Sequence, residues 1–526
     1  MSPKSALAES SMDKDTASNR RLNRNLVANF VAQFISASMA ILFVPSYVKI
    51  LGIEAYGLIG FYTLIQMFLS VFEMGVYPVL GRHMARFTAG KVDANTVRDI
   101  FRTYLMLVVV VGACLAVLLG SLASPIASDW FNLSELDERT VGRVIVMIGL
   151  VVMFRFIEMV FRSAILGLQF QIIYNAVFSL AAILRYAGVI GFLLLYQPTI
   201  EAFFFWQIVV SILALVAYGI ICAWILPKSS RRPQFSFIEV LKTRRFATGA
   251  ILITFLSVSL RQVDKIYLSK TIDLDVFGYY AFASILAGIP TLLVGPVYQA
   301  YYPRFVELFA IGSKSDLNRA YLRATMYAGI IAVVSGVPLI FFAEDVIWVW
   351  SGDRELARGV SVFARVLVIG GIIDAMLNIP YCAQIAFGWT RLAVGMFLVS
   401  LCFALLAILI TVPEFGPLSA AWVWVGVNVF LFLLWIPLMY RRILSGTLSG
   451  WYVASVATPI LVAVTSAFAL SVILPVTSSR LIGFLLLGLI GCILLVLVSG
   501  TAWFTSRIFN PQQDTQEAGT QTVERM

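Results

Sequence analysis

Arginine and glutamate recur at helical spacing inside an apolar stretch, VVMFRFIEMVFR, as Arg155, Glu158 and Arg162. At about 100° per residue these side chains share roughly 60° of one helix face. Similar groups interrupt other apolar stretches. AAILRYAGV carries Arg185, with Asn175 and Ser179 a turn or two earlier, and SLRQVDKIYL carries Arg261, Asp264 and Lys265. GGIIDAMLNIPY puts Asp374, Asn378 and Tyr381 on one stripe, with Arg365 upstream pointing away from it. Glu73 lies in the second apolar stretch, and Asn25, Asn29, Gln33 and Ser36 line one face of the first. Cations in such surroundings suit an anionic cargo, because arginine forks bind phosphate bidentately. Carboxylates there either pair with the cations or serve in ion coupling.

Pairing within a helix is the simplest structural account: Arg155 with Glu158, and Arg261 with Asp264, each three residues apart. It cannot absorb every charge. Arg155, Arg162, Arg185, Arg261, Lys265 and Arg365 face Glu73, Glu158, Asp264 and Asp374, so cations are in excess, and Lys265 has no obvious partner. An unpaired cation at a bilayer centre costs roughly 2.5–3.5 kcal/mol on insertion scales. A water-filled, positively charged cavity would remove that penalty.

The elements that must position these residues are membrane helices. The chain has 526 residues, 60% of them hydrophobic and only 13% charged, and its mean hydropathy is +0.92. Soluble proteins are about 45–50% apolar and about 25% charged. Apolar windows of about 20 residues begin near Asn25, Gly57, Phe101, Val144, Ile172, Ala202, Thr248, Phe277, Tyr321, Ser361, Leu392, Ala420, Tyr452 and Leu481. They predict an all-α polytopic membrane protein with about fourteen transmembrane helices. Most Lys and Arg of the connections fall on one side: RRLNRN, GRHMARFTAGKVDANTVRDIFR, PKSSRRPQFSFIEVLKTRRF, PRFVELFAIGSKSDLNRAYLR and YRRILSG. That asymmetry predicts cytoplasmic N- and C-termini.

The formal net charge of +10 is thus a topology signal rather than the footprint of a nucleic-acid partner. Residues 1–24 and 506–526 are polar tails with the composition of disorder. The linker at 227–245 contains FSFIEVLKTRRF, where Phe237, Val240 and Leu241 against Lys242, Arg244 and Arg245 are compatible with an interfacial amphipathic helix or an ordinary basic loop.

The sequence also repeats. LGIEAYGLIGFYTLI (51–65) matches IDLDVFGYYAFASIL (272–286), with Gly57 over Gly278, Tyr56 over Phe277 and Glu54 over Asp275. Gly75, Tyr77 and Arg82 are echoed by Gly295, Tyr298 and Arg304. Six spans separate the copies, so both insert with one orientation, and parallel repeats are a transporter architecture.

Other chemistries lack their residues. Cys114, Cys222, Cys382, Cys402 and Cys492 lie far apart in apolar runs, and His83 is the single histidine. Neither a disulfide framework nor a metal site nor a Ser-His-Asp triad is expected. No phosphate-binding G-x-x-x-x-G-K-[ST] loop occurs, and no cofactor is expected. No connection exceeds about 20 residues, too short for a catalytic domain outside the membrane.

VPSYVKILGIEAYGLIGFYTLIQMFLSVFEMGVYPVLGRHMAR resembles the N-terminal signature of Wzx-type polysaccharide flippases. It has a Pro-containing first span, LG-x-x-x-YG, an acidic-x-Gly and an Arg at the end of the second span, with Glu73 where that family more often has Asp. DKIYLSKTIDLDVFGYYAFASIL is similar to the family's second-half signature. That family is part of the multidrug, oligosaccharidyl-lipid and polysaccharide exporter superfamily. The resemblance implies two six-helix lobes in a V, 25–226 and 246–440, related by pseudo-twofold symmetry, with two further spans at 441–505. It implies a bacterial inner-membrane flippase, not an enzyme, that moves undecaprenyl-pyrophosphate-linked oligosaccharide to the periplasmic leaflet by alternating access. The glycan would enter O-antigen, capsule or exopolysaccharide.

On that basis the substrate-binding set is Arg155, Arg162, Arg185, Arg261, Lys265, Arg365, Asn29, Gln33, Asn378 and Tyr381. Glu73, Glu158, Asp264 and Asp374 are the ion-coupling candidates. Membrane lipids, a polysaccharide polymerase and a chain-length regulator are the implied partners. A lipid II flippase and a multidrug antiporter are the alternatives within the superfamily, and a membrane polymerase or glycosyltransferase the alternative outside it.

Overall fold

The computed structural model describes residues 28–29, 31–88, 90–444, 448–473 and 479–509. The tail expected over 1–24, Asn25, and residues 510–526 of the second tail lie outside the described residues. So do the side chains of 237–247, and with them the amphipathic face expected in the linker.

The described chain is built of helices. In chain order these are α1 (Val31–Leu51), α2 (Ile53–Thr88), α3 (Ala94–Ser121), α4 (Glu138–Gly167), α5 (Gln171–Leu195) and α6 (Ile200–Ile225). Then come α7 (Phe237–Thr271), α8 (Leu274–Ile311), α9 (Lys314–Phe341), α10 (Arg354–Ala386), α11 (Thr390–Phe415), α12 (Leu418–Ile443), α13 (Ser455–Ile473) and α14 (Arg480–Ala502). Among the described residues, 13 helices are long and apolar enough to cross a membrane. Helix α7, which carries Arg261, Asp264 and Lys265, is not counted among these 13. Broad apolar surfaces remain uncovered, including Val117, Leu195, Leu406, Ile410, Phe415 and Val496. In water such a surface would drive aggregation, so the fold is that of a polytopic membrane protein, as expected.

Local chemistry sets the helix ends. Asp93 caps α3 by accepting from the amides of Asn95 and Thr96, and Asp137 caps α4 by accepting from Thr140. Hydrogen bonds from the Thr96 and Thr140 side chains, then from those amides, hold both carboxyls below the usual carboxylate range. Helices α5 and α12 contain a π turn, at Leu184–Gly188 and Leu431–Trp435, and two more, Ile126–Trp130 and Tyr452–Ala457, precede α4 and open α13. Such turns are uncommon and concentrate at functional sites.

The chain divides into two compact units: residues 1–258 with 269–275, and residues 259–268 with 276–526. The core of the first unit joins α2 through α6. Leu80 and Met84, Ile100 and Phe101, Val160 and Ile165, and Tyr218 are all closely packed there. Glu54, at the start of α2, is buried with its carboxylate accepting from the amides of Ser134, Glu135 and Leu136 at 2.7, 2.7 and 3.0 Å. The connection before α4 is thereby fixed to α2. Nearby, Gly57 has no room for a side chain, because a Cβ there would sit 2.5 Å from the Leu274 carbonyl oxygen. The opposite end of this unit is tied as firmly. Asp99 on α3 accepts from the Arg231 guanidinium and, at 2.6 Å, from the Gln234 amide, while Arg98 donates to the Pro227 carbonyl at 2.7 Å.

In the second unit, α13 and α14 both pack against α9. Thr325 on α9 donates to Ser455 at 3.3 Å. Trp451, fully buried, packs its ring against Tyr321, Phe432 and Tyr440.

Candidate functional site

Each unit holds one cluster of charged side chains among its apolar helices. In the first, the π turn of α5 aims Arg185 at α4, where it donates to Glu158 at 2.9 Å with both side chains buried. A π turn leaves backbone carbonyls without their usual helical donors, and three neighbouring side chains supply the hydrogens. Trp206 Nε1 donates to Leu184 at 2.7 Å, Gln207 Nε2 to Arg185 at 3.0 Å, and the Tyr47 hydroxyl to Tyr186 at 2.6 Å. Residues of α1 and α6 therefore fix the turn that places Arg185.

Arg162, one turn along α4 from Glu158, donates to the Tyr174 hydroxyl at 3.0 Å. Its guanidinium lies 5.7 Å from the ring centres of Tyr174 and Phe178 and 3.9 Å from the half-exposed Glu73 carboxylate. Arg155 is half-buried beside Tyr62, Glu158 and Tyr186. Asn175, adjacent to Tyr174, donates to Asn29 at 2.5 Å, and Asn29 donates to Gln171 at 3.3 Å, so the start of α1 joins the same neighbourhood. Gln33 is exposed. Three guanidiniums thus share two carboxylates, Glu158 and Glu73, and the Nε atoms of Arg162 and Arg185 are buried without a hydrogen-bond partner among the described residues.

The second cluster is balanced. Arg261 on α7 donates to Asp374 Oδ1 on α10 at 2.8 Å, and Thr291 on α8 donates to Asp374 Oδ2 at 2.9 Å. Asn378 Nδ2 donates to the Asp374 carbonyl at 2.9 Å. Asp264 accepts from the Tyr280 hydroxyl at 2.6 Å and lies 3.6 Å from Lys265, which also donates to the Arg261 carbonyl at 3.1 Å. Tyr381 packs edge-on against Trp435. Two cations meet two carboxylates.

These pairings correct the intrahelical ones expected from spacing. Glu158 pairs with Arg185 instead of Arg155, Arg261 with Asp374 instead of Asp264, and Lys265 has a partner in Asp264. Long guanidinium side chains reach a neighbouring helix as readily as their own next turn. Arg365 joins neither cluster: it is exposed, and the charged group it influences is Asp345.

Sequence spacing misses the supporting groups Tyr47, Tyr62, Tyr174, Trp206, Gln207, Tyr280 and Thr291. A lone glutamine in IEAFFFWQIVV is the available signal for Gln207. Two apolar clefts of about 520 and 590 Å³, one between α11 and α12 and one among α8, α9 and α14, are lined by none of the clustered charges. Among the described residues no group of three or more His, Cys, Asp or Glu side chains is placed to hold a metal ion.

The fold has counterparts among solved structures. The fold is similar to that of the lipid II flippase MurJ in an inward closed conformation, with a TM-score of 0.66 and 12% identity over 93% of this chain and 99% of that one. It is also similar to the inward-facing conformation of a multidrug resistance MATE family transporter of the MOP superfamily, with a TM-score of 0.60 and 13% identity over 77% of this chain and 94% of that one. At such identities the likeness is one of fold. No curated protein sequence matches the chain. The chain belongs to the family described as polysaccharide biosynthesis protein, whose model matches residues 22–309.

Proposed function

We propose that this protein is a flippase for undecaprenyl-pyrophosphate-linked oligosaccharide, carrying glycan units from the cytoplasmic to the periplasmic leaflet of a bacterial inner membrane. The observation that carries the reading is the cationic surplus of the first unit. Arg155, Arg162 and Arg185 share two carboxylates, and the surplus is stabilised once a pyrophosphate enters, since guanidinium–phosphate bonds are charge-assisted and bidentate. Arg185 with Glu158 forms the buried scaffold. Arg155 and Arg162 are the anion-binding pair, with Asn29 and Gln33 at the approach from α1. In the second unit Arg261, Lys265, Asn378 and Tyr381 take part in substrate contact. Asp264 and Asp374, whose cations are within reach to be released, are the ion-coupling candidates, together with Glu73.

The family supports a place in polysaccharide biosynthesis, and both structural neighbours are transport proteins by name. An exporter of cationic drugs would be served by an acidic site, opposite in sign to this one. On this reading both termini are cytoplasmic, the protein is not an enzyme, and a polymerase and a chain-length regulator act on the glycan after it has crossed.

Deleting the gene tests the reading. Loss of surface polysaccharide with accumulation of lipid-linked oligosaccharide on the cytoplasmic side is the expected phenotype, reversed by the wild-type gene. Unchanged surface glycan contradicts it, and lysis on depletion would point to lipid II as the cargo.

A further inference from the structure

The second unit carries a feature that phosphate binding does not use. On α8, Thr291, Gly295, Tyr298 and Tyr302 follow at intervals of four, three and four, which places them within about 60° of one helix face. On α10, Asp374, Asn378 and Tyr381 repeat the same four-and-three spacing. The two stripes face each other. Thr291 donates to Asp374 at 2.9 Å at one end, and the Cys382 thiol donates to the Tyr298 carbonyl at 3.7 Å near the other. Tyr302 influences both Tyr298 and Tyr381, and Arg261 influences Tyr381, so these rings and the guanidinium occupy one neighbourhood.

The Tyr298 and Tyr302 rings lie parallel, 6.1 Å apart and inclined by 4°, and Tyr302 is exposed. Between the charged end and the tyrosines, a Cβ on Gly295 would meet nothing within 4 Å. The open space beside Gly295 thus lies on a helix face that carries Tyr298 and Tyr302 toward one end and, toward the other, Thr291, which is hydrogen-bonded to the buried Asp374 that also holds Arg261.

We propose that this α8–α10 face is a sugar-binding subsite, taking a pyranose ring of the cargo; the proposal rests on the flippase reading above. A pyranose presents a face of C–H groups and a rim of hydroxyls. Aromatic rings cover the first, while the second needs acceptors and donors placed together. Arg261, whose side chain stays 45% exposed while the buried Asp374 holds it in place, supplies the donors, and the amide oxygen of the half-buried Asn378 supplies the acceptor. Few polar groups fixed among aromatic ones is the usual composition of a specific small-molecule site. An isoprenoid chain would cover the rings and leave Arg261 and Asp374 facing hydrocarbon, and charged groups deprived of water in that way are costly. The subsite therefore reads glycan, and the first unit reads the pyrophosphate.

The test compares two probes on the purified full chain in lipid nanodiscs: undecaprenyl pyrophosphate, and the same lipid carrying one N-acetylglucosamine. Tyr302→Ala and Gly295→Leu are expected to weaken binding of the sugar-bearing lipid about tenfold while leaving the bare lipid unchanged. Tyr302→Trp, which keeps a ring face, should restore the sugar preference. Equal loss for both probes would assign the face to the lipid chain or to folding and overturn the proposal, as would no loss for either. A wild-type chain that binds neither probe overturns the flippase reading itself. One that binds both equally overturns the subsite alone.

Discussion

The two charge clusters use the same residue types to opposite ends. In the first unit, three arginines share two carboxylates, and the tightest pair, Arg185 with Glu158, is buried and held by a π turn that Tyr47, Trp206 and Gln207 complete. In the second, Arg261 and Lys265 are matched by Asp374 and Asp264, with Arg261 half exposed. A surplus charge beside a rigid scaffold is prepared for a ligand of opposite sign. A balanced set beside open space is prepared to exchange partners. The difference lies in the count of charges and in how firmly each is held.

Breaking the buried pair sharpens the contrast most. Arg185→Ala removes the guanidinium hydrogen-bonded to the buried Glu158 and leaves only the looser charges of Arg155 and Arg162 beside it, and should lower stability by about 3 kcal/mol, read as a large drop in thermal midpoint. The double replacement Arg185→Met with Glu158→Leu should recover most of that loss. Lys265→Ala in the second unit should shift the midpoint far less, because Asp264 keeps its hydrogen bond from Tyr280.

Two glycines give the next largest difference. Gly57→Ala forces a methyl group onto the Leu274 carbonyl and should cost about 1–3 kcal/mol. Gly295→Ala meets only open space and should leave the midpoint unchanged. Its counterpart in the repeat, Gly75, is instead filled by Ile251, whose Cδ1 would lie 2.7 Å from a Cβ there.

The smallest effect is one of pH. The folded-state pKa values of Asp93 and Asp137 are depressed. Their stabilisation is therefore present above the unfolded value of about 3.9 and is lost as pH falls through the folded ones. Acid scans of Asp93→Asn and Asp137→Asn should be flatter than wild type in that window.

The spans and the depth of the charges are legible in the sequence because both depend on composition along one helix. The partners are not. Spacing of three residues suggests Arg155 with Glu158 and Arg261 with Asp264, yet Glu158 takes its hydrogen bond from Arg185 and Arg261 gives its own to Asp374. Glu158 is hydrogen-bonded by an arginine on α5 that lies in a π turn, and a period of 3.6 residues gives no sign of such a turn. Lys265 looks unpartnered in the sequence for a related reason: its contact with Asp264 joins adjacent residues, which a helical projection places about 100° apart. The repeat aligns Gly75 with Gly295 as sequence. Whether a neighbour fills the space beside each glycine depends on tertiary packing.

The central claim is that the first unit, and not the second, recognises the pyrophosphate. Binding of undecaprenyl pyrophosphate to the full chain in nanodiscs tests it directly, comparing Arg155→Ala/Arg162→Ala with Arg261→Ala/Asp374→Ala, the second pair removed together so that no charge is stranded. About a hundredfold weaker binding is expected for the first double variant, and near wild-type affinity for the second. Loss confined to the second variant, or equal loss in both, would contradict the claim.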